Sequence, residues 1–411
     1  MEPTQQRGLE LAATRTIRQK GGIWIVPSQA GSGFYRVHLM PKIASCTCPD
    51  HETRKLDCKH IYAARFVMKR EQNPDGSTTV AQSFTVTKTE RITYPQHWAS
   101  YNAAQTQEQD KFQELLADLS SGLVTVPPKS GRPPLPLSDA IFAIAFKVYS
   151  TVSQRRFMSD LREAHSRGFI AKVPHFNSTS NYLENPELTP ILHSLIIQSS
   201  LPLKSVEVDL AVDSSGFTTC RYVRWFDHKY GTVRQQHDWV KAHPMCGVKT
   251  NIVTAVEIQD KNANDSPLLP KLCKITAHNF QLSEVSADKG YASRKNADAV
   301  ADLGATPFIS FAEHHRGNGG GMWFKMYHYF HFRKDEFLQH YHKRSNVEST
   351  FSMIKRKFGD GLRSKTDVAM VNETLCKILC HNLVVLIHEM HELGITPHFG
   401  VTFNAANSIP Q

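Results

Sequence analysis

Four side chains able to act on a charged substrate lie along one edge of a predicted helix. Tyr341, Arg344, Glu348 and Lys355 stand in a stretch without proline or glycine that stops at Gly359, a pattern typical of a helix. At about 100° per residue, the four side chains fall within an arc of roughly 60° on the helix surface. The adjacent stripe is apolar and contains Val347, Phe351, Ile354 and Phe358. A carboxylate held among three donors beside a packed seam favours a functional site. The alternative is a surface helix with incidental charges.

Two aspartates end predicted strands upstream of this helix. Asp213 closes an alternating apolar and polar run that begins at residue 205 and precedes a Ser/Gly turn, and Asp288 closes a β-prone run that begins at residue 284. Asp209 is the rival for the first position because it lies on the same strand face as Asp213. An acid at a strand centre is usually less accessible than one at a strand end, so we prefer Asp213.

The elements that must position these acids follow a recognisable order. We predict strands at 205–213, 217–226 and 247–258, a fourth region from 272 to 276, a strand at 284–288, a helix at 292–303 and a strand at 305–311. Three antiparallel strands, then β-α-β, then a helix bearing an acid is the order of an RNase H-like fold. The predicted fold class is therefore α/β, with an RNase H-like mixed sheet flanked by helices.

The same residues carry a family resemblance. The spacing Tyr-x2-Arg-x3-Glu-x6-Lys from Tyr341 to Lys355 resembles the YREK signature of insertion-sequence transposases with a DDE catalytic triad. Asp213-Ser-Ser-Gly and Ala287-Asp288-Lys-Gly-Tyr are similar to the first and second D motifs of that family. The likeness spans roughly residues 131–395.

The resemblance implies a chemistry for these residues. Asp213, Asp288 and Glu348 would be the catalytic carboxylates and would hold two Mg²⁺ (or Mn²⁺) ions, which prefer oxygen ligands and lie about 3.5–4 Å apart in such sites. Arg344 and Lys355 would grip phosphates near the cleaved strand, and Tyr341 would aid positioning. Three basic residues precede or open the third strand, namely Lys241, His243 and Lys249. They have two equally good interpretations, as residues that line the DNA channel or as the polar start of a strand.

A small metal module is predicted near the N-terminus. Two β-prone runs, 23–27 and 34–38, flank a Gly/Ser turn and indicate a hairpin. Three cysteines and one histidine follow, a Cys3His set suited to structural Zn²⁺: Cys46, Cys48, Cys58 and His60. The C-x-C and C-x-H pairs resemble a SWIM zinc finger over about residues 20–70. The alternative is free buried cysteines with a surface histidine, and His51 beside Cys48 is interpreted as a bystander.

The function of the zinc module has two interpretations, contact with DNA or contact with protein. Arg54, Lys55, Lys59 and Arg65 favour DNA.

The whole chain has 48 Lys and Arg against 38 Asp and Glu, a net charge of +10, which favours an anionic partner, with nucleic acid first and a membrane surface second. No run of eighteen apolar residues occurs and no secretory signal is recognisable, so no transmembrane helix is expected. Three cysteines within thirteen residues suggest metal binding in a reducing compartment.

A helical segment precedes the predicted sheet. Three short helices with basic faces are indicated between residues 138 and 183, an arrangement suggesting a helix-turn-helix-like DNA reader, although most helical bundles bind no DNA. Its position matches the N-terminal domain of the transposases named above. The candidate phosphate contacts are Arg155, Arg156 and Arg162. Cys376 and Cys380, about one turn apart on a long closing helix, are interpreted as buried thiols, with a metal site as the alternative.

Five segments result from these patterns. They are a SWIM-type module (1–70), a linker with one helix (71–130), a helical DNA-binding domain (131–200), an RNase H-like DDE catalytic domain (201–395) and a C-terminal tail (396–411).

The resemblance implies a transposase that binds the terminal inverted repeats of its element in double-stranded DNA, cuts beside them and joins the ends to target DNA. It further implies a homo-oligomer on paired ends, in the cytoplasm of a prokaryote and associated with the nucleoid. The alternatives are a domesticated DNA-binding protein that does not cut, and an RNase H-like nuclease without strand transfer.

Overall fold

The computed structural model describes residues 3–29, 33–40, 43–71, 97–124, 134–219, 239–260 and 263–399. The chain divides into two compact units, Met1–Thr93 and Tyr94–Gln411. Residues 72–96 and 125–130 of the predicted linker, part of the tail (400–411) and residues 220–226 of the predicted second strand lie outside the described residues.

The N-terminal unit combines an antiparallel sheet with helices. Its strands are β1 (Arg18–Lys20), β2 (Ile23–Pro27), β3 (Phe34–Leu39) and β4 (Ala44–Cys46), paired in sequence order. Its helices are α1 (Pro3–Thr14), α2 (Pro49–Arg54) and α3 (Lys59–Glu71). Alternate β2 side chains point to one face, so Trp24 and Val26 are buried with Val37, Leu11 and Ile61 in a core of their own. The predicted hairpin is confirmed as β2 and β3.

Five helices precede the sheet within the described part of the second unit. They are α4 (Trp98–Ser121), α5 (Leu137–Ser150), α6 (Phe157–Ser166), α7 (Ser178–Leu183) and α8 (Leu188–Ser200). The apolar run of α5 is buried on almost every side, as expected for a helix without a polar face.

A mixed sheet forms the centre of this unit. Its strands are β5 (Asp209–Val212), β6 (Ser215–Thr218), β7 (Trp239–Gly247), β8 (Val253–Asp260), β9 (Glu284–Ala287) and β10 (Thr306–Ile309). Their spatial order is β8-β7-β5-β9-β10, with β8, β7 and β5 antiparallel and β5, β9 and β10 parallel. The predicted RNase H-like mixed sheet is confirmed.

One predicted element, the turn after Asp213, is wrong. The Ser/Gly segment after Asp213 is not a turn, because β6 continues in the direction of β5 and both pair with β7 in one register, with Leu210 opposite Gly247 and Phe217 opposite Val240. The returning strand is therefore β7. The region 272–276 is helical, since buried side chains recur at helical spacing there.

Helices cover both faces of the sheet. After β8 the chain forms α9 (Leu269–Ala277), α10 (Arg294–Ala301), α11 (Gly321–Phe332), α12 (Lys334–Tyr341), α13 (Ser345–Phe358) and α14 (Asp367–Glu392). One core joins α9 and α10 to Leu210, Val212 and Met245. The larger core joins α4, α5, α8, α13 and α14 to Ala211 and Phe217 on the other face.

Helix α14 is the central support of this larger core. Its length and hydropathy alone would suit a membrane span, but 89% of the relevant window is buried inside the unit, as in a core helix. Helices α5 and α8, from the segment predicted as a DNA-binding domain, pack on α14. The boundary predicted at residue 200 therefore does not separate two hydrophobic cores.

Candidate active site

Asp213 occupies the break between β5 and β6. The backbone N–H of Ser214 donates to Asp213 Oδ1 at 2.8 Å, and the aspartate side chain is 21% exposed. Burial raises the pKa of Asp213, and the negative charges of Asp288 and Glu348 add to this shift, while the Ser214 N–H and Arg344 oppose it. The other two acids therefore disfavour ionisation of Asp213.

Arg344 and Tyr341 connect the three acids. Arg344 donates from Nη1 to Asp213 Oδ2 at 2.6 Å and from Nη2 to Glu348 Oε1 at 2.7 Å. The Tyr341 hydroxyl donates to Asp288 Oδ1 at 3.3 Å, and the Arg344 guanidinium carbon lies 5.9 Å from the Tyr341 ring centroid. Five of the sequence-predicted site residues therefore form one cluster.

The single helix predicted for Tyr341 to Lys355 is wrong in one respect. Tyr341 ends α12, residues 342–344 form a 3₁₀ turn and Glu348 lies in the first turn of α13. Lys343 fixes this turn to the sheet, since its Nζ lies 2.7 Å from both Asp209 Oδ2 and Glu284 Oε2. The carboxylate of Asp209, the rival of Asp213 as the first acid, is therefore ion-paired with Lys343. The predicted apolar seam of α13 is confirmed by the burial of Val347 and its three partners.

Lys355 reaches the same sheet by another contact. Its Nζ donates to Ser215 Oγ at 2.6 Å, two residues beyond Asp213, and lies 5.4 Å from the Phe217 ring centroid. Burial lowers the pKa of Lys355. The structure thus brings this lysine to β6, where it does not pair with any of the three acids.

A second polar cluster, beside Asp213, was missed in part by the sequence analysis. Asp265 accepts a hydrogen bond from Ser214 Oγ at 3.2 Å and pairs with Lys241. His243 is fully buried, with Nδ1 3.1 Å from the Tyr291 hydroxyl. Lys241 and His243 were considered as channel residues, but Asp265 follows no strand or motif and gave no signal in the sequence.

The acidic cluster offers the oxygen donors that Mg²⁺ or Mn²⁺ prefers. The guanidinium of Arg344 lies between Asp213 and Glu348 and satisfies one oxygen of each. Among the described residues, the one group of three or more potential metal ligands that lie close together is the Cys/His group of the N-terminal unit, with ligand atoms all within 4.8 Å of one another. The carboxylate oxygens of the acidic cluster therefore fit divalent cations in type. In this structure the positive charge of Arg344 balances Asp213 and Glu348.

The Cys/His group fits zinc in type and spacing. Cys46, Cys48, Cys58 and His60 are all buried, and Cys58 Sγ lies 3.8 Å from His60 Nδ1. Zn–S bonds of about 2.3 Å and Zn–N bonds of about 2.0–2.1 Å place sulfur and nitrogen about 3.6 Å apart around a tetrahedral ion. Contacts with the Cys46 thiol, and then with His60, hold the pKa of Cys58 below its usual range despite burial.

His51 lies outside this ligand group. Its Nδ1 is 2.7 Å from the Leu56 carbonyl oxygen, and its backbone N–H donates to Cys48 Sγ at 3.4 Å. The histidine therefore shapes the loop between the ligands, and its ring is occupied by a backbone carbonyl.

The three candidate arginines lie at α6. Arg155 and Arg156 immediately precede the helix and Arg162 lies within it, and all three are exposed. The Arg155 guanidinium carbon is 5.3 Å from the Phe176 ring centroid. Cys376 and Cys380, by contrast, are completely buried in the core around α14, which agrees with their interpretation as core thiols.

Two families match parts of this chain. Residues 204–383 match the family described as a transposase DDE domain, and residues 35–64 match the SWIM zinc finger family. The chain therefore carries a transposase DDE domain and an N-terminal SWIM zinc finger, as the sequence motifs predicted.

No match is found among curated proteins. Among solved structures, a piggyBac transposase synaptic complex with hairpin DNA, determined by cryo-EM, is 11% identical, with a TM-score of 0.37 over 69% of this chain and 76% of that chain.

Proposed function

We propose that this chain, a carrier of a transposase DDE domain, is a DNA transposase that binds the terminal inverted repeats of its element and cuts and joins strands there. Asp213, Asp288 and Glu348 are its catalytic carboxylates in this proposal. The observation that carries it is the pair of side chains, Arg344 and Tyr341, that joins all three acids beside the C-terminal ends of the parallel strands β5 and β9.

Each residue has a distinct part in this proposal. The three carboxylates would hold two Mg²⁺ or Mn²⁺ ions, which supply activation of the attacking oxygen and stabilisation of the leaving oxygen when bound. Arg344 balances carboxylate charge and can turn to a phosphate, because its fork of donors matches either anion. Lys355, whose Nζ donates to Ser215 Oγ, would donate to another phosphate oxygen, and Tyr341, which donates to Asp288, would hold that acid in position.

The proposed partners follow from this reaction. They are double-stranded DNA at the inverted repeats and at the target, and a second copy of the chain on paired ends. Arg155, Arg156 and Arg162 contribute phosphate contacts, and the zinc finger holds Zn²⁺ through Cys46, Cys48, Cys58 and His60. The proposed setting is the cytoplasm of a prokaryote, in association with the nucleoid.

The test is cleavage of the DNA that flanks the gene, in Mg²⁺ or Mn²⁺, by wild type, Glu348→Gln and Glu336→Gln. Glu336 is an exposed acid on α12 that contacts Arg333 at 3.4 Å, so its variant is the matched control. We expect site-specific cuts with wild type and the control, and a loss of at least about 100-fold with Glu348→Gln, as for other groups that act in the transition state.

Three outcomes would contradict parts of this proposal. Specific binding without cutting by wild type would identify a DNA-binding protein that does not cut. Cutting without joining would identify a nuclease. Cutting that survives in Glu348→Gln would show that the active site lies elsewhere.

A further inference from the structure

A groove with charged walls lies on the second unit, and its lining residues do not include the three acids. Its volume is about 850 Å³, and its walls come from α5, the loop before α6, α7, the last residue of α13, the segment 363–365 and α14. Five cationic side chains line it, namely Lys147, Arg156, Arg363, Lys365 and Lys377. Two carboxylates, Glu184 and Glu373, face them, so the groove carries a positive excess.

The carboxylate of Glu373 is already engaged by backbone donors. Its oxygens accept from Arg363 N at 3.1 and 3.0 Å and from Ser364 N at 2.8 Å. Glu373 therefore orders the segment that presents the side chains of Arg363 and Lys365 to solvent, and both side chains are exposed. Among the described residues, neither side chain forms an ion pair, so their charge is available to an external anion.

Two cations converge on one carbonyl inside the groove. Lys147 Nζ donates to Val152 O at 2.6 Å, and Arg363 Nη1 donates to the same oxygen at 3.0 Å. Burial, and then the Arg363 charge, lower the pKa of Lys147 to about 8. A nearby pair of like charges is costly in the free protein, and an anion that entered the groove would relieve this repulsion.

The groove is tied to the helix that bears Glu348. Lys377 Nζ donates to the carbonyl oxygens of Gly359 and Gly361 at 2.8 Å each, just past the end of α13. Thr218, at the end of β6, donates from its backbone N to Asp360 O at 3.0 Å. The wall of the groove is thus attached both to the sheet and to the catalytic helix.

We propose that this groove binds the phosphodiester backbone of the duplex on which the acidic cluster acts, through Arg156, Arg363 and Lys365. The inference rests on the proposed function, because it assumes a duplex at Glu348. Ten residues separate Glu348 from Phe358, and at 1.5 Å per residue they span about 15 Å. A duplex that runs along α13, at about 3.4 Å per base pair, would bring to the groove phosphates roughly four to five base pairs from the cut.

The test compares two double variants with the same loss of charge. Arg363→Gln/Lys365→Gln alters the groove, whereas Lys274→Gln/Lys295→Gln removes two exposed lysines from α9 and α10, which pack on the opposite face of the sheet. Equilibrium binding to the flanking duplex is measured over a series of salt concentrations, and thermal unfolding checks that both variants fold.

Two lost phosphate contacts should flatten the plot of log K against log salt by about 1.8 and weaken binding about tenfold or more at low salt. The variant Lys365→Gln alone should flatten the plot by about 0.9. Lys274→Gln/Lys295→Gln should bind like wild type. Equal affinity and slope in the two double variants would overturn the groove proposal.

Phosphate-ethylation interference supplies the second measurement. Ethylated phosphates four to five base pairs from the cut should impair binding by wild type and have no further effect on Arg363→Gln/Lys365→Gln. Competition with inorganic pyrophosphate tests a small anion as the true occupant, and binding of pyrophosphate without any effect of the variant on duplex binding would overturn the proposal.

The two proposals fail in different ways. A wild type that binds the duplex but does not cut it contradicts the proposed function and leaves the binding comparison in force. If wild type cuts the duplex and Arg363→Gln/Lys365→Gln binds it as tightly as wild type does, only the groove proposal is contradicted. A wild type that binds no duplex contradicts both.

Discussion

Arg344 is the residue that joins two of the acids of this site directly. Its two terminal nitrogens contact carboxylates that come from different elements, Asp213 at the break between β5 and β6 and Glu348 on α13. A planar fork with donors at a fixed spacing can hold two such groups at once, whereas an ammonium is a point charge on a flexible stem. The position therefore depends on the shape of the guanidinium as well as on its charge.

Replacement of Arg344 by lysine separates shape from charge. We expect Arg344→Lys to reduce the rate of DNA cutting at least tenfold, since one ammonium cannot bridge Asp213 and Glu348, while duplex affinity changes by less than about threefold. The measurements are single-turnover cutting at saturating protein and equilibrium binding. The matched control is Arg333→Lys. The Arg333 side chain is 69% exposed, and among the described acids it contacts only Glu336. Equal rates in the two variants would contradict a bridging role.

At the scale of elements, sequence patterns predicted best where a signal is local. The apolar seam of α13, the strands that lead to Asp213 and Asp288, and the order of ligands in the zinc finger are all read within a few residues. The continuation of β5 into β6 depends on a shared register with β7, which lies more than twenty residues away, and the Ser/Gly segment signals a turn locally. Asp265 meets Ser214 across 51 residues of sequence, so no local pattern identifies it.

Helix α14 contains a titratable group whose effect on stability has a definite sign. Burial raises the pKa of Glu389 to about 7, and the charges of Glu392 and Glu207 add to this. Because the folded-state pKa is raised, the folded protein binds this proton more tightly than the unfolded chain. The resulting stabilisation is complete below the unfolded pKa of about 4.5 and is lost as pH rises through about 7.

The variant Glu389→Gln should flatten this dependence. The pKa rises from 4.5 to about 7, so at about 1.4 kcal/mol per pKa unit we expect the variant to exceed wild type in free energy of unfolding by about 3–4 kcal/mol at pH 8 and to match wild type near pH 4.5. Denaturant unfolding across this pH range gives the comparison. Glu313→Gln, at an exposed carboxyl in a loop of the same unit, should follow the wild-type curve. If the difference in free energy of unfolding between wild type and Glu389→Gln does not grow with pH, the pKa of Glu389 is not raised.

At the scale of the whole molecule, the two units have separate sources of stability. The second unit has two extensive cores on either side of its sheet, and α14 supports the larger one. The N-terminal unit has one small core, in which three of the candidate zinc ligands are themselves buried core residues. Small units with little apolar surface to bury commonly depend on a metal or a cross-link.

Zinc removal should therefore unfold one unit and spare the other. Binding of a structural zinc ion supplies folding free energy directly, so we expect calorimetry of the full chain to show two transitions, of which a chelator abolishes the one due to the N-terminal unit. The variant Cys58→Ser should lack that transition and about one equivalent of bound zinc by elemental analysis. Cys273→Ser, at a buried thiol of the second unit, should keep the zinc and alter only the other transition. If the chelator shifts both transitions equally, or if Cys58→Ser retains full zinc, then the Cys3His group is not what stabilises the N-terminal unit.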